Sequence, residues 1–381
     1  MDRHRPAARR AGSRHDGRVL HPPARRPRTD GDEVLTGDRA LIIGAGVFGL
    51  SLAAELAGRG WTVRVVERDR TGTRSPSYAD TRILRCAHGT DTWYAASADE
   101  ARAHWRQLEA ETRSRLFQPV GVVSFGTEAW LADTVRTLRE LDVAARPLDG
   151  AELRTRYPAL AGLGGPALAE PDAGVLLAAR AMAALRARAA ARGVRFLRGT
   201  AAPAGAAVRW RGRELSADRI VWAVGRALPE LFPGRTDVTP VAHDVFRVPA
   251  AGPFTAPGQP AWLDHVRGFY GVPGTDGRSV KVVPDLDAAD QSPDQVTEYL
   301  HRHLPVLGGR RVRREPCGYA DRPGGDFLLD RHPDHPHVWF LGGDSGHGFK
   351  HGPSLARHAA DALAGATPPP PRFALSGRSD P

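Results

Sequence analysis

Lysine is almost absent from this chain of 381 residues. Of its 53 lysine and arginine side chains, 51 are arginine, and only Lys281 and Lys350 are lysine. Arginine is a wide, planar and always charged fork, whereas lysine is a compact, strongly hydrated charge on a flexible stem. A composition this rich in alanine, glycine, proline and arginine is typical of a GC-rich genome, in which lysine is readily replaced. The two remaining lysines are therefore candidates for positions where arginine fails, and chance survival is the alternative.

Cysteine and long apolar runs are also scarce. Cys86 and Cys317 are the only cysteines, which excludes a disulfide framework and suits a reducing cytoplasm. No unbroken apolar run reaches the roughly 18 residues that a membrane span needs. With 41% hydrophobic and 25% charged residues, the chain is typical of a globular protein with two domains or one large α/β unit. We expect a cytoplasmic protein with no membrane partner and no bound metal.

The net charge of +10 raises the question of nucleic-acid binding. Residues 1–37 alone carry four more arginines than acidic side chains. This segment has few large apolar residues and no periodicity, so we expect a disordered basic extension; it lacks the apolar core of a secretory signal. Val34 or Leu35 could mark the true start of the protein. No aromatic-interleaved basic motif accompanies the charge, and we expect no nucleic-acid partner.

A strand, a glycine turn, a helix and a second strand follow one another from residue 39. Gly44 permits a tight turn, Gly46 lets the backbone approach a pyrophosphate, and Gly49 lets the helix pack against the strand. The helix N-terminus offers free N–H groups to that anion. Glu67 lies 23 residues after Gly44, close to the spacing of about 20 expected for the acid that binds the ribose. The dinucleotide-binding residues predicted from this motif are Gly44, Gly46, Val47, Gly49 and Glu67.

Later strands favour FAD over NAD and indicate a second domain. A strand at 219–225 follows a helical segment at 177–192, and another at 338–344 leads into a helix at 354–364. Because the chain returns so late to its first sheet, the second domain must be an insertion. We predict an α/β fold, in which an FAD-binding Rossmann-like domain (38–120, 150–228 and 318–367) carries an inserted α+β substrate domain with a mixed or antiparallel sheet (121–149 and 229–317), before a loose tail at 368–381.

Four further blocks show a resemblance to a known family. They are Asp80–Arg85, Glu170–Val175, Cys317 followed thirteen residues later by Asp330, and Gly343–Lys350. On these blocks the chain resembles the monomeric sarcosine oxidase family of D-amino-acid-oxidase-like flavoproteins, from about residue 39 to 366. That family oxidises N-methyl or cyclic secondary amino acids, passes a hydride to FAD and returns the electrons to O2 as hydrogen peroxide. The resemblance implies a monomer with a small amino acid substrate, O2 and FAD.

The resemblance also implies roles for five residues. Arg85 and Lys350 match the pair that clamps the substrate carboxylate, and Arg82 matches an arginine against the flavin ring. Lys281 matches the lysine that activates oxygen, and Cys317 matches the cysteine that bonds covalently to the flavin. The alternatives are a surface arginine for Arg85, a solvent-facing strand lysine for Lys281, and a buried free thiol for Cys317. The remaining cofactor positions by resemblance are Thr81, Gly225, Gly343, Gly346 and Gly348, together with Arg82 and Lys350.

Three further side chains complete the predicted site. Tyr270 matches a pocket tyrosine that flanks the substrate, and His347 is either catalytic or a residue that orders its loop. Asp285 stands where sarcosine oxidases typically have histidine, and Tyr78 likewise replaces a histidine. Asp285 would face the substrate amine or accept its proton, which favours a substrate other than sarcosine. Alternatively, Asp285 is a turn residue.

Two competing functions are consistent with parts of the sequence. A flavin-dependent aromatic hydroxylase shares the first glycine motif and a late Gly-Asp, here Gly343-Asp344, and needs NAD(P)H. Such hydroxylases lack the pairing of Cys317 with Lys281. A non-enzymatic interaction module is supported only by the basic segment at 1–37.

Overall fold

A computed structural model describes residues 38–69, 75–255, 258–275, 277–285 and 292–376. The predicted disordered extension at 1–37 lies outside the described residues. The helices of the described part are α1 Val47–Gly58, α2 Thr92–Thr112, α3 Glu128–Glu140, α4 Gly150–Arg156, α5 Ala178–Ala191, α6 Leu228–Leu231, α7 Pro293–His303 and α8 Gly352–Ala364.

The strands form four sheets. In chain order they are β1 Arg39–Ile43, β2 Thr62–Glu67, β3 Thr81–Leu84, β4 Phe117–Gln118, β5 Val122–Phe125, β6 Arg146–Leu148, β7 Ala167–Glu170, β8 Gly174–Leu177, β9 Arg195–Arg198, β10 Ala201–Ala204, β11 Ala207–Trp210, β12 Arg213–Leu215, β13 Arg219–Trp222, β14 Thr239–Pro249, β15 Ala261–Asp264, β16 Phe269–Pro273, β17 Ser279–Pro284, β18 Arg313–Asp321, β19 Leu328–His332 and β20 His335–Gly342. Two of the sheets have three strands each, in the orders β3-β8-β4 and β10-β11-β12.

A six-stranded sheet of order β19-β20-β13-β1-β2-β9 carries the glycine motif. Its strands are parallel except for β19, which pairs antiparallel with β20. Side chains alternate across β1: Ala40 and Ile42 pack with α1, α5 and α8, whereas Leu41 and Ile43 pack with Trp222 in a second cluster. Because both faces are covered, the strand reads as a continuous apolar run.

The second large sheet has eight strands in the order β18-β14-β17-β16-β15-β5-β7-β6. All its neighbours are antiparallel except β15 and β5, which are parallel. Its core includes Trp262 and Phe246, both fully buried, together with Leu300 of α7. The predicted fold class, an α/β fold with a mixed or antiparallel second sheet, is confirmed.

The division of the chain between the two large sheets differs in part from the predicted ranges. Strand β7 pairs with β5 and β6, so residues up to Glu170 pack with the eight-stranded sheet, although 150–228 was assigned to the FAD-binding domain. Strand β18 runs through the predicted boundary at 317 and 318, because it pairs with β14 along its whole length. In both places, the sheet to which a residue belongs is decided by which strands pair through their backbones. No local feature of the sequence marks that pairing.

The prediction of a loose tail is wrong for residues 370–376. Phe373 is fully buried, and Arg372 forms ion pairs with Asp91 at 2.8 Å and Asp326 at 2.6 Å. The N–H of Leu375 donates to Asp330 at 3.0 Å. One buried aromatic ring and two ion pairs hold the segment, in spite of its proline-rich start. Residues 377–381 of the predicted tail lie outside the described residues.

None of the helices described here combines the length and the apolar character that crossing a membrane requires.

Candidate active site

The glycine motif forms a tight crossing between β1, β13 and α1. Gly44 has φ of 104°, and a Cβ atom there would lie 2.3 Å from the carbonyl oxygen of Ala223. A Cβ atom on Gly49 would lie 2.0 Å from the carbonyl oxygen of Gly44. Gly46 is the N-cap residue of α1, and it makes no side-chain hydrogen bond to the first turn of the helix. Gly44 and Gly49 are therefore required by the close packing of the protein's own backbone. The N-terminus of α1 keeps N–H groups for an anion.

Glu67 ends β2 beside this helix. Its Oε2 accepts the N–H of Ala45 at 2.7 Å, and its Oε1 accepts the N–H of Asp69 at 3.0 Å. The N–H of Val47 donates to Oγ of Ser77 at 3.1 Å. The acid thus stands at the mouth of the glycine turn, where the ribose of a dinucleotide is expected.

A cleft of about 620 Å³ opens at the carboxyl ends of the parallel strands. It is lined by the glycine motif and Glu67, and on its other side by Gly225 and Gly343. Gly225 has φ of 55° and Gly343 has φ of 62°. A cleft at this edge of an open parallel sheet is where dinucleotides bind, and the glycine cradle, the helix N-terminus and the acid all fit FAD.

Lys281 and Arg82 meet at one backbone carbonyl. The Nζ atom of Lys281 donates to the oxygen of Thr81 at 2.8 Å, and Nη1 of Arg82 donates to the same oxygen at 2.8 Å. The Lys281 side chain is only 5% exposed. Burial, and then the charge of Arg82, lowers the pKa of Lys281 to about 7. The guanidinium of Arg82 also lies 5.5 Å from the ring centre of Phe349.

The half-buried Arg85 and the buried Lys350 form a second cationic pair. Arg85 directly follows β3, and its Nη1 atom is buried without a hydrogen-bond partner among the described residues. Lys350 is 4% exposed. Burial lowers the pKa of both side chains, and the charge of Arg85 lowers that of Lys350 further. A buried donor without a partner fits a site that an anion completes.

Tyr270, Cys317 and Asp285 come from the eight-stranded sheet. Burial raises the pKa of Tyr270 on β16; the charge of Arg82 opposes this rise, and the charge of Asp285 adds to it. Cys317, on β18, is partly exposed. Asp285 follows the end of β17 and is exposed, and its charge acts on Arg85. The eight-stranded sheet thus carries these three predicted residues, and Asp285 lies within electrostatic reach of Arg85.

The loop from Gly343 to Lys350 connects β20 to α8. A Cβ atom on Gly348 would lie 2.7 Å from Cβ of Asp344, and Gly346 has φ of 73°. The imidazole Nε2 of His347 lies 2.9 Å from the carbonyl oxygen of Gly325, and burial lowers the pKa of His347 to about 3. This contact is of the kind expected for a residue that orders its loop.

Comparisons with known proteins cover most of the described residues. The model of the family described as "FAD dependent oxidoreductase" matches residues 39–362. The chain belongs to this family. It is therefore an FAD-dependent oxidoreductase, and the fit of the cleft to FAD agrees with this assignment.

Curated relatives of this oxidoreductase extend over most of its length. It is 26% identical over 350 residues to monomeric sarcosine oxidase of Bacillus sp. (strain B-0618), covering 81% of this chain and 88% of that protein. It is 27% identical over 348 residues to N-methyl-L-tryptophan oxidase of Yersinia pestis (strain Pestoides F), covering 84% and 93%. The family resemblance read from the sequence blocks is confirmed.

Solved structures share the fold. L-proline dehydrogenase from P. horikoshii matches with a TM-score of 0.75 at 18% identity, covering 87% of this chain and 94% of that chain. Amadoriase I from Aspergillus fumigatus matches with a TM-score of 0.69 at 21% identity, covering 86% and 87%.

Sequence reasoning missed several buried residues of the FAD-dependent oxidoreductase. Glu170, 3% exposed, belongs to a block that carried the resemblance, but its burial is a property of the fold. Asp344, whose Oδ1 accepts the N–H of Ala320 at 2.8 Å, has its pKa raised by burial to about 6. His88 and His351 lie beside His347, with ring centres 5.6 to 5.9 Å apart. No spacing rule connects the whole set, since Glu170 and His88 lie far in the chain from the segment that holds Asp344, His347 and His351.

Proposed function

We propose that this oxidoreductase oxidises a secondary or cyclic amino acid with O2 as the electron acceptor, and that it forms an imine and hydrogen peroxide. The observation that carries the proposal is the pairing of the buried Lys350 with the half-buried Arg85, whose Nη1 atom is buried and has no protein partner within the described ranges. A carboxylate is the anion that an arginine fork and a lysine bind together. The relatives named as sarcosine and N-methyl-L-tryptophan oxidases support the same class of substrate.

The glycine turn and Glu67 would hold the dinucleotide end of FAD, and the loop before α8 would lie against its other end. Gly44, Gly46, Val47, Gly49, Gly225, Gly343, Gly346 and Gly348 are the backbone contacts we assign, with Thr81, Arg82 and Lys350 as side-chain neighbours. Bound FAD supplies the acceptor for a hydride and transfers both electrons to O2. We further propose that Cys317 holds the cofactor covalently.

The clamp contributes positioning. Arg85 and Lys350 fix the carboxylate, so the carbon next to the amine is held in one orientation while its hydride leaves. Tyr270, whose hydroxyl stays protonated because burial raises its pKa, is placed to flank the substrate. No step requires a side-chain base if the amine binds without its extra proton; if the amine binds protonated, Asp285 is the group we assign to accept that proton.

Lys281 is assigned to oxygen. Its ammonium is held by the carbonyl of Thr81 at 2.8 Å and shielded from solvent. A fixed cation in a dry site stabilises negative charge as it develops on oxygen, and it needs no reorganisation to do so. His347 is assigned to ordering the loop that carries Lys350, and we expect the enzyme to act as a monomer.

Two assays test the proposal. Purified protein is screened with N-methyl and cyclic amino acids for peroxide, and we expect at least one to give turnover. Acid precipitation then leaves yellow colour in the pellet if Cys317 holds the flavin, and Cys317→Ser moves that colour to the supernatant. Reduction of the flavin by NADPH but by no amino acid would instead indicate the hydroxylase.

A further inference from the structure

Glu170 reaches from the eight-stranded sheet to the backbone directly behind Arg85. It is the last residue of β7 and is 3% exposed. Its Oε2 accepts the N–H of Cys86 at 2.7 Å, and its Oε1 accepts the N–H of Ala87 at 3.2 Å. A carboxylate that accepts successive backbone N–H groups fixes the direction in which the chain leaves β3. The side chain of Arg85 starts from this fixed point.

The same carboxylate is a charge partner of both cations in the clamp. Its charge acts on Arg85 and on Lys350, and it opposes the effect of burial on each. Burial raises the pKa of Glu170 itself, while the N–H of Cys86 and the charge of Arg85 oppose that rise. Two buried cations without a nearby anion would repel each other, and one would lose its proton.

We propose that Glu170 is a positioning residue for substrate binding, because it anchors the backbone after Arg85 and supplies the buried negative charge that lets Arg85 and Lys350 act together on one carboxylate. This inference rests on the proposed function, since it concerns the same clamp. Glu170 acts through the two cations and needs no contact with the substrate.

Several other charged or titratable groups face Lys350. They are Arg85 and Cys86 after β3, Glu170 on β7, and the imidazoles of His88, His347 and His351. Burial lowers the pKa of all three histidines, so they are neutral at pH 7. Glu170 is therefore the buried group in this set that supplies negative charge.

The chain allows a direct measurement because it has only two lysines. Flavin-loaded protein grown with lysine carrying carbon-13 at Cε gives one signal for each lysine, and Lys350→Met assigns them. In Glu170→Gln we expect the Lys350 signal to titrate lower by about one pH unit or more, because an attractive charge nearby is gone. The Lys281 signal is the internal control and stays in place, since Glu170 is not among the charges acting on it.

Asp172→Asn is the matched control, because it removes one acidic charge from an exposed position two residues away and should leave the Lys350 titration unchanged. Glu170→Asp keeps the negative charge but moves it away from the two cations, because the side chain is shorter. We expect a smaller downward shift of the Lys350 titration midpoint in this variant. It provides the test of the inference if Glu170→Gln does not fold. An identical Lys350 midpoint in wild type and variant, or no titration in either, overturns the inference.

The measurement needs no substrate, so it separates this inference from the proposed function. A shifted midpoint in a protein that oxidises no amino acid would support Glu170 as the counter-charge and refute the substrate class. Turnover of an amino acid with an unshifted Lys350 midpoint would support the substrate class and refute Glu170 as the counter-charge. Where both hold, loss of carboxylate binding with rising pH should begin at lower pH in Glu170→Gln, because Lys350 then loses its proton earlier.

Discussion

Lys281 and Lys350 are both buried, but their neighbours differ. Lys281 donates to a carbonyl beside Arg82, whereas Lys350 shares its site with Arg85 and Glu170. Because the protein has only these two lysines, each variant leaves the other as an unchanged reference.

Replacing Lys281 by Met should slow the reaction with oxygen. We expect reoxidation of the reduced flavin to fall roughly a hundredfold, because a fixed charge in a dry site is lost, while anaerobic reduction by substrate keeps its rate. Lys350→Met should show the opposite pattern, with substrate binding weakened roughly tenfold to a hundredfold and reoxidation unchanged. Stopped-flow measurement of the two half-reactions separates them, and normal reoxidation in Lys281→Met would refute the oxygen site.

The same residue gives a pH dependence. The pKa of Lys281 is lowered to about 7, and the ammonium is the form that stabilises negative charge on oxygen. Reoxidation should therefore be fast below that pKa and decline as pH rises through about 7. A rate that increases over this interval would show that the neutral amine acts instead.

At the scale of single elements, the start of α1 distinguishes two glycines. Gly49→Ala places a Cβ atom 2.0 Å from a backbone oxygen, and the free energy of unfolding of the apoprotein should fall by about 1–3 kcal/mol or more. The Cβ atom of Gly46→Ala meets Oγ of Ser77 at 3.5 Å and Oγ of Ser75 at 3.7 Å, both ordinary contacts, so apoprotein stability should change by less than about 1 kcal/mol. FAD binding should weaken in both, and a normal FAD affinity in Gly46→Ala would contradict the pyrophosphate site.

The C-terminal turn is a second element with a clear test. Phe373 is fully buried, with its ring centre 4.7 Å from that of Trp93 and 5.6 Å from that of Phe327. Phe373→Ala should lower the free energy of unfolding by about 3–5 kcal/mol, as measured by denaturant unfolding. The exposed Thr367 provides the control, since Thr367→Ala should leave stability unchanged. Equal stability of the two variants would mean that the segment does not pack in solution.

The elements differ in how far the sequence could predict them. Strand β1 and the start of α1 follow from an apolar run and a glycine pattern, each of which has a local steric cause. The position of β7 does not, because its partners β5 and β6 lie apart in the chain and pairing is decided by the assembled sheet. The burial of Phe373 could not be predicted from the sequence either, because it depends on packing against residues that are distant in the chain.

For the whole molecule, the proposed site draws on three sheets: the six-stranded sheet with the glycine motif, the three-stranded sheet of β3, β8 and β4, and the eight-stranded sheet. Arg82 and Arg85 come from β3 and the residue after it, Lys281 and Cys317 come from the eight-stranded sheet, and Lys350 precedes α8. Sequence blocks predicted this set by resemblance. They could not predict Glu170, because its importance depends on two sheets meeting behind Arg85.

The basic extension should be dispensable. Every residue assigned to the site lies between residues 44 and 350, outside the basic extension. A variant lacking residues 1–36 should keep its FAD content and its rate of oxidation. Loss of either would show that the extension contributes to the enzyme.

The central claim is that an amino acid supplies the electrons. The most direct measurement is anaerobic mixing of the flavin-loaded protein with N-methyl and cyclic amino acids, followed through the visible absorbance of the flavin. We expect bleaching by at least one of them, no bleaching by NADPH, and return of the absorbance with stoichiometric peroxide when O2 is admitted. Bleaching by NADPH with no response to any amino acid would contradict it.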